Sequence, residues 1–473
     1  MSNNSKTSNS NGKGYARFII PSLIGAFLFL APIPTENAFN IPLGIAIDFV
    51  GDQFSQISFG TYGVYFGDGV YDGNFDLRHM IGLITITIAF LGMLLAHFVK
   101  PAFIMNNPVL KSVFISSPVY FISKVIGFII IWMIFLNIGP DEVIASWTGD
   151  VMVVLLASLV VIFLVLIPGI PLLTDFGLME FIGTFIKKVV RVLFTLPGRA
   201  AVDLVASWFG SSAASIMITR GQHEKGFYTG REAAVATTNF AIVSVPFTFV
   251  VARTAGLADY FFTFYFIMAV AVLFLAVLMP RIWPLKKIPD TYLEDVGKQI
   301  TEEEVPQGTS QFAWATESAC ARAKKTTVKD VVDSALSGYA GIFFDLLPVL
   351  LAWGTIAMVI NEHTDIFTWI SWPMGQLLTL FQVEGAMEFA PATLVGFVDM
   401  FIPALMIGSA PDQTRMILGT LSVVQVIYLA ETGALILKSK IPLNIGKLFI
   451  IFMMRTLISL PIIVGLTWLM FNP

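Results

Sequence analysis

The chain is short of charge. Only 13% of its 473 residues are Asp, Glu, Lys or Arg, against about 25% in an ordinary soluble domain. Hydrophobic residues make up 56%, too large a share for a solvated surface to cover, so this is an integral membrane protein. A single cysteine, Cys320, excludes an intramolecular disulfide. It lies in a polar stretch and reads as an ordinary free thiol. Histidine is equally scarce: His79 and His97 fall near the ends of apolar runs, while His223 and His363 fall in loops. None has the spacing of a metal site, and no Ser/His/Asp arrangement points to a nucleophile. The sequence G-x-x-x-x-G-K-[ST] is missing, which excludes a phosphate-cradling P-loop. The formal charge of −4 is small and no basic cluster marks a nucleic-acid partner. Nothing here supports an enzyme, and no cofactor is implied beyond Na⁺ as one candidate coupling ion.

What is present is a series of apolar windows of about 20 residues, each long enough to cross a hydrocarbon core of roughly 30 Å as a helix. The ten-residue alternation of a membrane barrel does not occur. The expected class is an all-α membrane protein, a polytopic helical bundle.

Residues 1–14 form a Ser/Asn-rich cytoplasmic tail with Lys6 and Lys13. Transmembrane segments fill 15–149: an uncleaved first span from Phe18 to Pro34, a Gly- and aromatic-rich external loop from Thr35 to Leu77 without Lys or Arg, then spans at His79 to Val99 and Val113 to Asn137. Basic residues flank the cytoplasmic ends, so the N-terminus is placed inside. A first repeat covers 150–281: a span from Val151 to Leu173, an interfacial helix from Phe176 to Phe194 with Lys187, Lys188 and Arg191 on one face, a hairpin at 196–231, and spans at Glu232 to Val251 and Tyr260 to Pro280. A cytoplasmic linker at 282–333 carries Lys286, Lys287, the run Glu302, Glu303 and Glu304, and Lys324, Lys325 and Lys329. The second repeat, 334–473, has the same order of parts, with its hairpin at 388–412. An odd number of crossings per half inverts the second half, so the first hairpin enters from the cytoplasm and the second from outside. About nine spans and two re-entrant hairpins result.

The run from Leu196 to Gly256 contains WFGSSAASIMITRGQ, YTGREAAVATTNF and SVPF. These resemble the nucleoside-recognition, or Gate, domain, and the whole chain is similar to the YjiH-type bacterial membrane proteins. The same domain is found in concentrative nucleoside transporters and spore-maturation proteins. The resemblance implies a transporter core of two inverted repeats, with substrate held between hairpin tips and broken spans. Nucleoside transporters place Gln, Thr and Glu in the first hairpin, whereas this tip offers Gly210, Ser211, Ser212 and Ser215.

Ionisable groups inside a bilayer are costly and call for a partner or a function. Asp399 stands at the centre of the second hairpin, where it either caps a helix start or faces a substrate or ion. Gly210, Ser211, Ser212, Asn239, Asp399 and Gln425 are the candidate substrate-binding residues. The hydroxyls and helix-start N–H groups of the first tip suit an anionic group, and Asp399 suits a cationic one. Thr237, Thr238, Asn239 and Ser244, beside Pro246, supply hard oxygens for a coupling ion. Asp345 and Arg455, each near the middle of a span, are expected to be a structural charge pair. Glu431 is expected close to the cytoplasmic end of its span. Taken together these features describe an inner-membrane secondary transporter of a small polar solute, zwitterionic and amino-acid- or peptide-like, coupled to Na⁺ or H⁺ and compatible with a homo-oligomer. The alternatives are a nucleoside transporter and a non-transporting Gate-domain component with an assembly role.

Overall fold

The structure, a computed structural model, describes the chain apart from residues 1–3, 35–38, 62–73, 116–117, 146–147, 150, 295, 299–307 and 472–473. The acidic run Glu302 to Glu304 therefore lies outside the described residues. The protein is a multi-pass, all-α membrane protein. Among the described residues, five helices are long and apolar enough to cross a bilayer: Leu77–Val99, Val151–Thr174, Ala258–Lys287, Val328–His363 and Ile445–Met470. Shorter apolar helices include Gly14–Leu30, Tyr120–Leu136, Ala200–Phe209 and Val245–Thr254. Two small antiparallel strand pairs, Ile33–Pro34 with Phe39–Asn40 and Ser58–Thr61 with Asn74–Asp76, accompany the helix Pro42–Ser55 in the segment expected to be an external loop.

The chain folds as two compact units. One comprises residues 43–168 and 332–372, the other 1–42, 169–331 and 373–473. In the first unit, helix Leu347–His363 packs along helix Pro118–Leu136. Trp353 Nε1 donates to Ser123 Oγ at 2.8 Å across that seam. Asp76 caps helix Leu77–Leu94 by accepting from the backbone amides of Arg78 and His79, and it also holds the Arg78 guanidinium at 2.5 Å.

The second unit contains the interrupted elements. Helix Leu178–Leu193 is amphipathic, burying Gly183, Thr184 and Val190. Two short helices follow, Ala200–Phe209 and Ser212–Glu224, packed on one another as a hairpin whose turn is Gly210 and Ser211. Gly210 is needed there because a Cβ would stand 2.7 Å from the Ala206 carbonyl oxygen. The next apolar stretch, expected as one span, is two helices. Gly230–Asn239 is opened by a Thr229/Glu232 capping box, and Val245–Thr254 starts with Pro246 in its first turn; between them the backbone is extended. Pro246 has no N–H to donate and so restarts the helix where an orphan amide would otherwise lie. Helix Phe261–Leu278 completes the group.

Interrupted helices also follow the linker. Helix Ile366–Leu380 precedes three short helices, Ala386–Phe389, Ala392–Val395 and Phe401–Met406; then Asp412–Gln425 breaks at 426–428 and resumes through 429–433 into Ala434–Leu437; Ile445–Met470 ends the group. Val426 sits at φ 65°, a left-handed conformation unfavourable for a β-branched residue, which the packing at the break must hold. The linker also contains a helix. Helix Gln311–Lys325 buries Ala315, Ala319, Cys320 and Ala323, and Cys320 lies in an apolar cluster with Phe18, edged by Phe181. The thiol expected in a polar stretch is therefore buried.

Candidate functional site

The first hairpin is latched by a carboxylate. Asp203, on the first leg, accepts from Thr219 Oγ1 on the second leg and from Tyr228 Oη, both at 2.9 Å. Its carbonyl accepts from Ser215 Oγ at 2.9 Å. Ser207, on the same leg, donates to the Ile242 carbonyl at 2.6 Å, so the hairpin supplies a hydrogen bond to the extended backbone of the first broken helix. That bond satisfies an acceptor which no helix can.

The second break lies against both hairpins. Glu431 Oε1 accepts from Ser212 Oγ at 2.9 Å and from the Ala213 amide, so the carboxylate occupies the N-terminus of the second leg, where the helix dipole favours negative charge. Two residues earlier, the Leu429 amide donates to the Phe397 carbonyl at 2.8 Å, at the reversal of the second hairpin. In that reversal Asp399 is buried and accepts from the Phe401 amide at 2.8 Å, capping the helix that follows. Gln425, the last helical residue before the break, donates to the Thr393 carbonyl at 2.7 Å and to Thr456 Oγ1 at 2.9 Å. Its amide oxygen lies where a Cβ on residue 396 would be 2.1 Å away, which is why Gly396 stands there.

Arg455, in the middle of Ile445–Met470, is wholly buried. Its guanidinium donates to the Val424 carbonyl at 2.7 Å through Nη2 and to the Gln425 carbonyl at 3.1 Å through Nε. Through Nη1 it donates to Asn239 Oδ1 at 2.8 Å and to the Thr238 carbonyl at 3.1 Å. These acceptors are the C-terminal ends of the two helices that break. Among the described residues no carboxylate pairs with this cation.

Several expectations are corrected. Asp345 and Arg455 do not form a charge pair: Arg455 is held by carbonyls, and Asp345 Oδ1 is 2.5 Å from Lys124 Nζ, which also donates to the Val113 carbonyl at 2.7 Å. Two of the four residues assigned to a coupling ion, Thr237 and Thr238, bond within their own helix. Thr237 Oγ1 donates to the Ala233 carbonyl and Thr238 Oγ1 to the Ala234 carbonyl, at 2.8 and 2.7 Å, while Asn239 Oδ1 faces a guanidinium. Among the described residues, Ser244 Oγ is buried without a hydrogen-bond partner. Glu431 meets the first hairpin tip through Ser212. The helix start expected to receive an anionic group of the solute is filled by that side chain. Of the candidate substrate residues, Ser212 meets Glu431, Asn239 and Gln425 meet around Arg455, Asp399 caps its own helix, and Gly210 and Ser211 form the half-buried turn. Asp203, Ser207 and Thr456 were not anticipated. For Asp203 there was a signal: it is the sole charged residue between Arg199 and Arg220.

The nucleoside-recognition (Gate) family matches residues 122–258. An uncharacterized protein of Alkalihalophilus pseudofirmus is 40% identical over 458 residues, covering 96% of this chain and 94% of that one. A solved structure, a double variant of CNTnw in an outward-facing state, is 16% identical and covers 83% of this chain and 99% of that chain, with a TM-score of 0.37. With the identity to the Alkalihalophilus protein extending over nearly the whole of both chains, this chain belongs to the same family, the Gate-domain membrane proteins.

Proposed function

We propose that the protein is a secondary active transporter of a small polar solute, and that the solute is bound where the break at 426–428 and the turn that follows it touch both hairpin reversals. The observation that carries this reading is the pair of contacts Leu429 to Phe397 and Glu431 to Ser212, within three residues of one another. Non-helical backbone inside a membrane protein is tolerated where it is buried in protein or lines a cavity, and broken helices in transporters gather around such sites. The polar groups at this junction are two carboxylates, and the nearest helix start is already occupied by one of them. The solute class that fits is therefore one presenting hydrogen-bond donors, an amine or a set of hydroxyls, rather than a free carboxylate. Glu431 and Asp399 are the groups that would carry a coupled proton.

A thermal-shift screen of the purified protein against polyamines, nucleosides, amino acids and dipeptides, with and without Na⁺, tests this. A ligand at a hundred times its Kd stabilises by about 2.7 kcal/mol. Stabilisation by a donor-rich solute, lost in Glu431→Gln and weakened in Ser212→Ala, is expected. A solute that stabilises the wild type and both variants equally places the site elsewhere.

The two groups of elements are proposed to lie inverted in the membrane, with the N-terminus in the cytoplasm. In a Cys320→Ser background, Gln222→Cys and Gln413→Cys should then react with an impermeant thiol reagent from opposite sides. Reaction from one side contradicts the inversion.

A further inference from the structure

The last four carbonyls of an α-helix have no partner within the helix, and its C-terminus carries roughly half a negative charge. Helix Asp412–Gln425 ends in the protein interior, yet its terminal carbonyls are accounted for. Ser422 and Val423 accept from Tyr428 Oη at 2.9 and 3.0 Å. Val424 and Gln425 accept from Arg455. Helix Gly230–Asn239 ends on the same group, with its Thr238 carbonyl and Asn239 side chain both directed at the guanidinium. Two helix C-termini supply about one negative charge in all, and one guanidinium balances it. Its fixed fork of N–H groups reaches both ends at once, as a lysine ammonium on a single stem would not.

Convergent C-terminal ends and unwound carbonyls are also the chemistry by which broken helices coordinate a cation. Here the cation is covalently part of the chain. We propose that the junction of the two broken helices is a cation site permanently filled by Arg455, which clamps helix ends Gly230–Asn239 and Asp412–Gln425 together and leaves no role for a metal cation at that point. The inference does not depend on the transport reading, because it concerns how the breaks are held and can be tested without a solute.

The test is chemical rescue. Arg455→Ala empties the site; Arg455→Lys keeps the charge but not the fork; Arg455→Gln keeps polarity without charge. Melting temperatures are measured in detergent with choline chloride, sodium chloride or guanidinium chloride, the last at a concentration that leaves the wild type unaffected. Arg455→Ala should melt well below the wild type in choline chloride, with guanidinium restoring a large part of the loss and sodium less. Arg455→Lys should melt above Arg455→Gln in every salt. Failure of guanidinium to raise the melting temperature of Arg455→Ala overturns the proposal. If Arg455→Ala does not accumulate, the other two variants decide: equal melting of Arg455→Lys and Arg455→Gln overturns it, and a higher value for Arg455→Lys supports it.

Discussion

The two units bury positive charge in opposite ways. In one, Lys124 is matched by the carboxylate of Asp345 at 2.5 Å. In the other, Arg455 is matched by helix C-termini, while Glu431 sits on a helix N-terminus. The difference concerns what can be changed independently. Removing one member of a buried ion pair strands the other, at a cost of about 3–5 kcal/mol when both are fully buried. A charge held by peptide dipoles has no charged partner to strand, so Glu431 can be protonated or can exchange its donors for those of a solute while the rest of the junction stays intact. The ion pair suits a static seam, and the dipole-held charges suit a site.

Four predictions bear on this contrast, in falling order of effect. Arg455→Leu should be the most damaging single change, lowering stability by at least about 3 kcal/mol, since several buried carbonyls lose their only side-chain donor. Yield and unfolding midpoint would show it; a near-native midpoint would mean the helix ends find other donors and that the clamp is not needed. Asp345→Asn should cost about 2–3 kcal/mol because Lys124 is fully buried, and Lys124→Met less because Asp345 is part exposed. The double variant should cost less than the sum. Additivity within about 0.5 kcal/mol would deny the coupling. Asp203→Asn should lower stability by about 1–2 kcal/mol, because an amide oxygen still accepts while the charge-assisted bonds from Thr219 and Tyr228 are lost. A proteolytic cut appearing in the hairpin would locate the loss. The smallest stability effect belongs to Glu431→Gln, under about 1 kcal/mol, since the oxygen that faces Ser212 is kept. A collapse in yield there would make Glu431 a structural group and remove the distinction between the units.

Element order was readable from the sequence because it is written in hydrophobic periodicity and in the placement of Lys and Arg, which are local. The Gly210-Ser211 reversal, the disruption at Pro246 and the amphipathic helix with Lys187 and Lys188 were visible for that reason. Partnerships were not. Asp345 and Arg455 were each marked as charges that need compensation, but sequence offers no means of choosing between a charged partner and a helix end, because the compensating groups of Arg455 are mostly backbone carbonyls common to every residue. Glu431 was read from its place on its own span, and its contact with Ser212 joins residues 219 apart in sequence, for which no local pattern gives a signal. The break at 426–428 is equally hard to see, since neither Pro nor Gly marks Val426.

The contact between Ser212 and Glu431 carries the functional reading, and it can be measured directly. In a Cys320→Ser background, Ser212→Cys combined with Glu431→Cys should be joined by a short bifunctional thiol cross-linker in native membranes, because the 2.9 Å contact spans the length of a glutamate side chain. Any solute found to stabilise the wild type should slow the cross-link. Rapid alkylation of both thiols with no cross-link would separate the first hairpin tip from the second break and contradict the account.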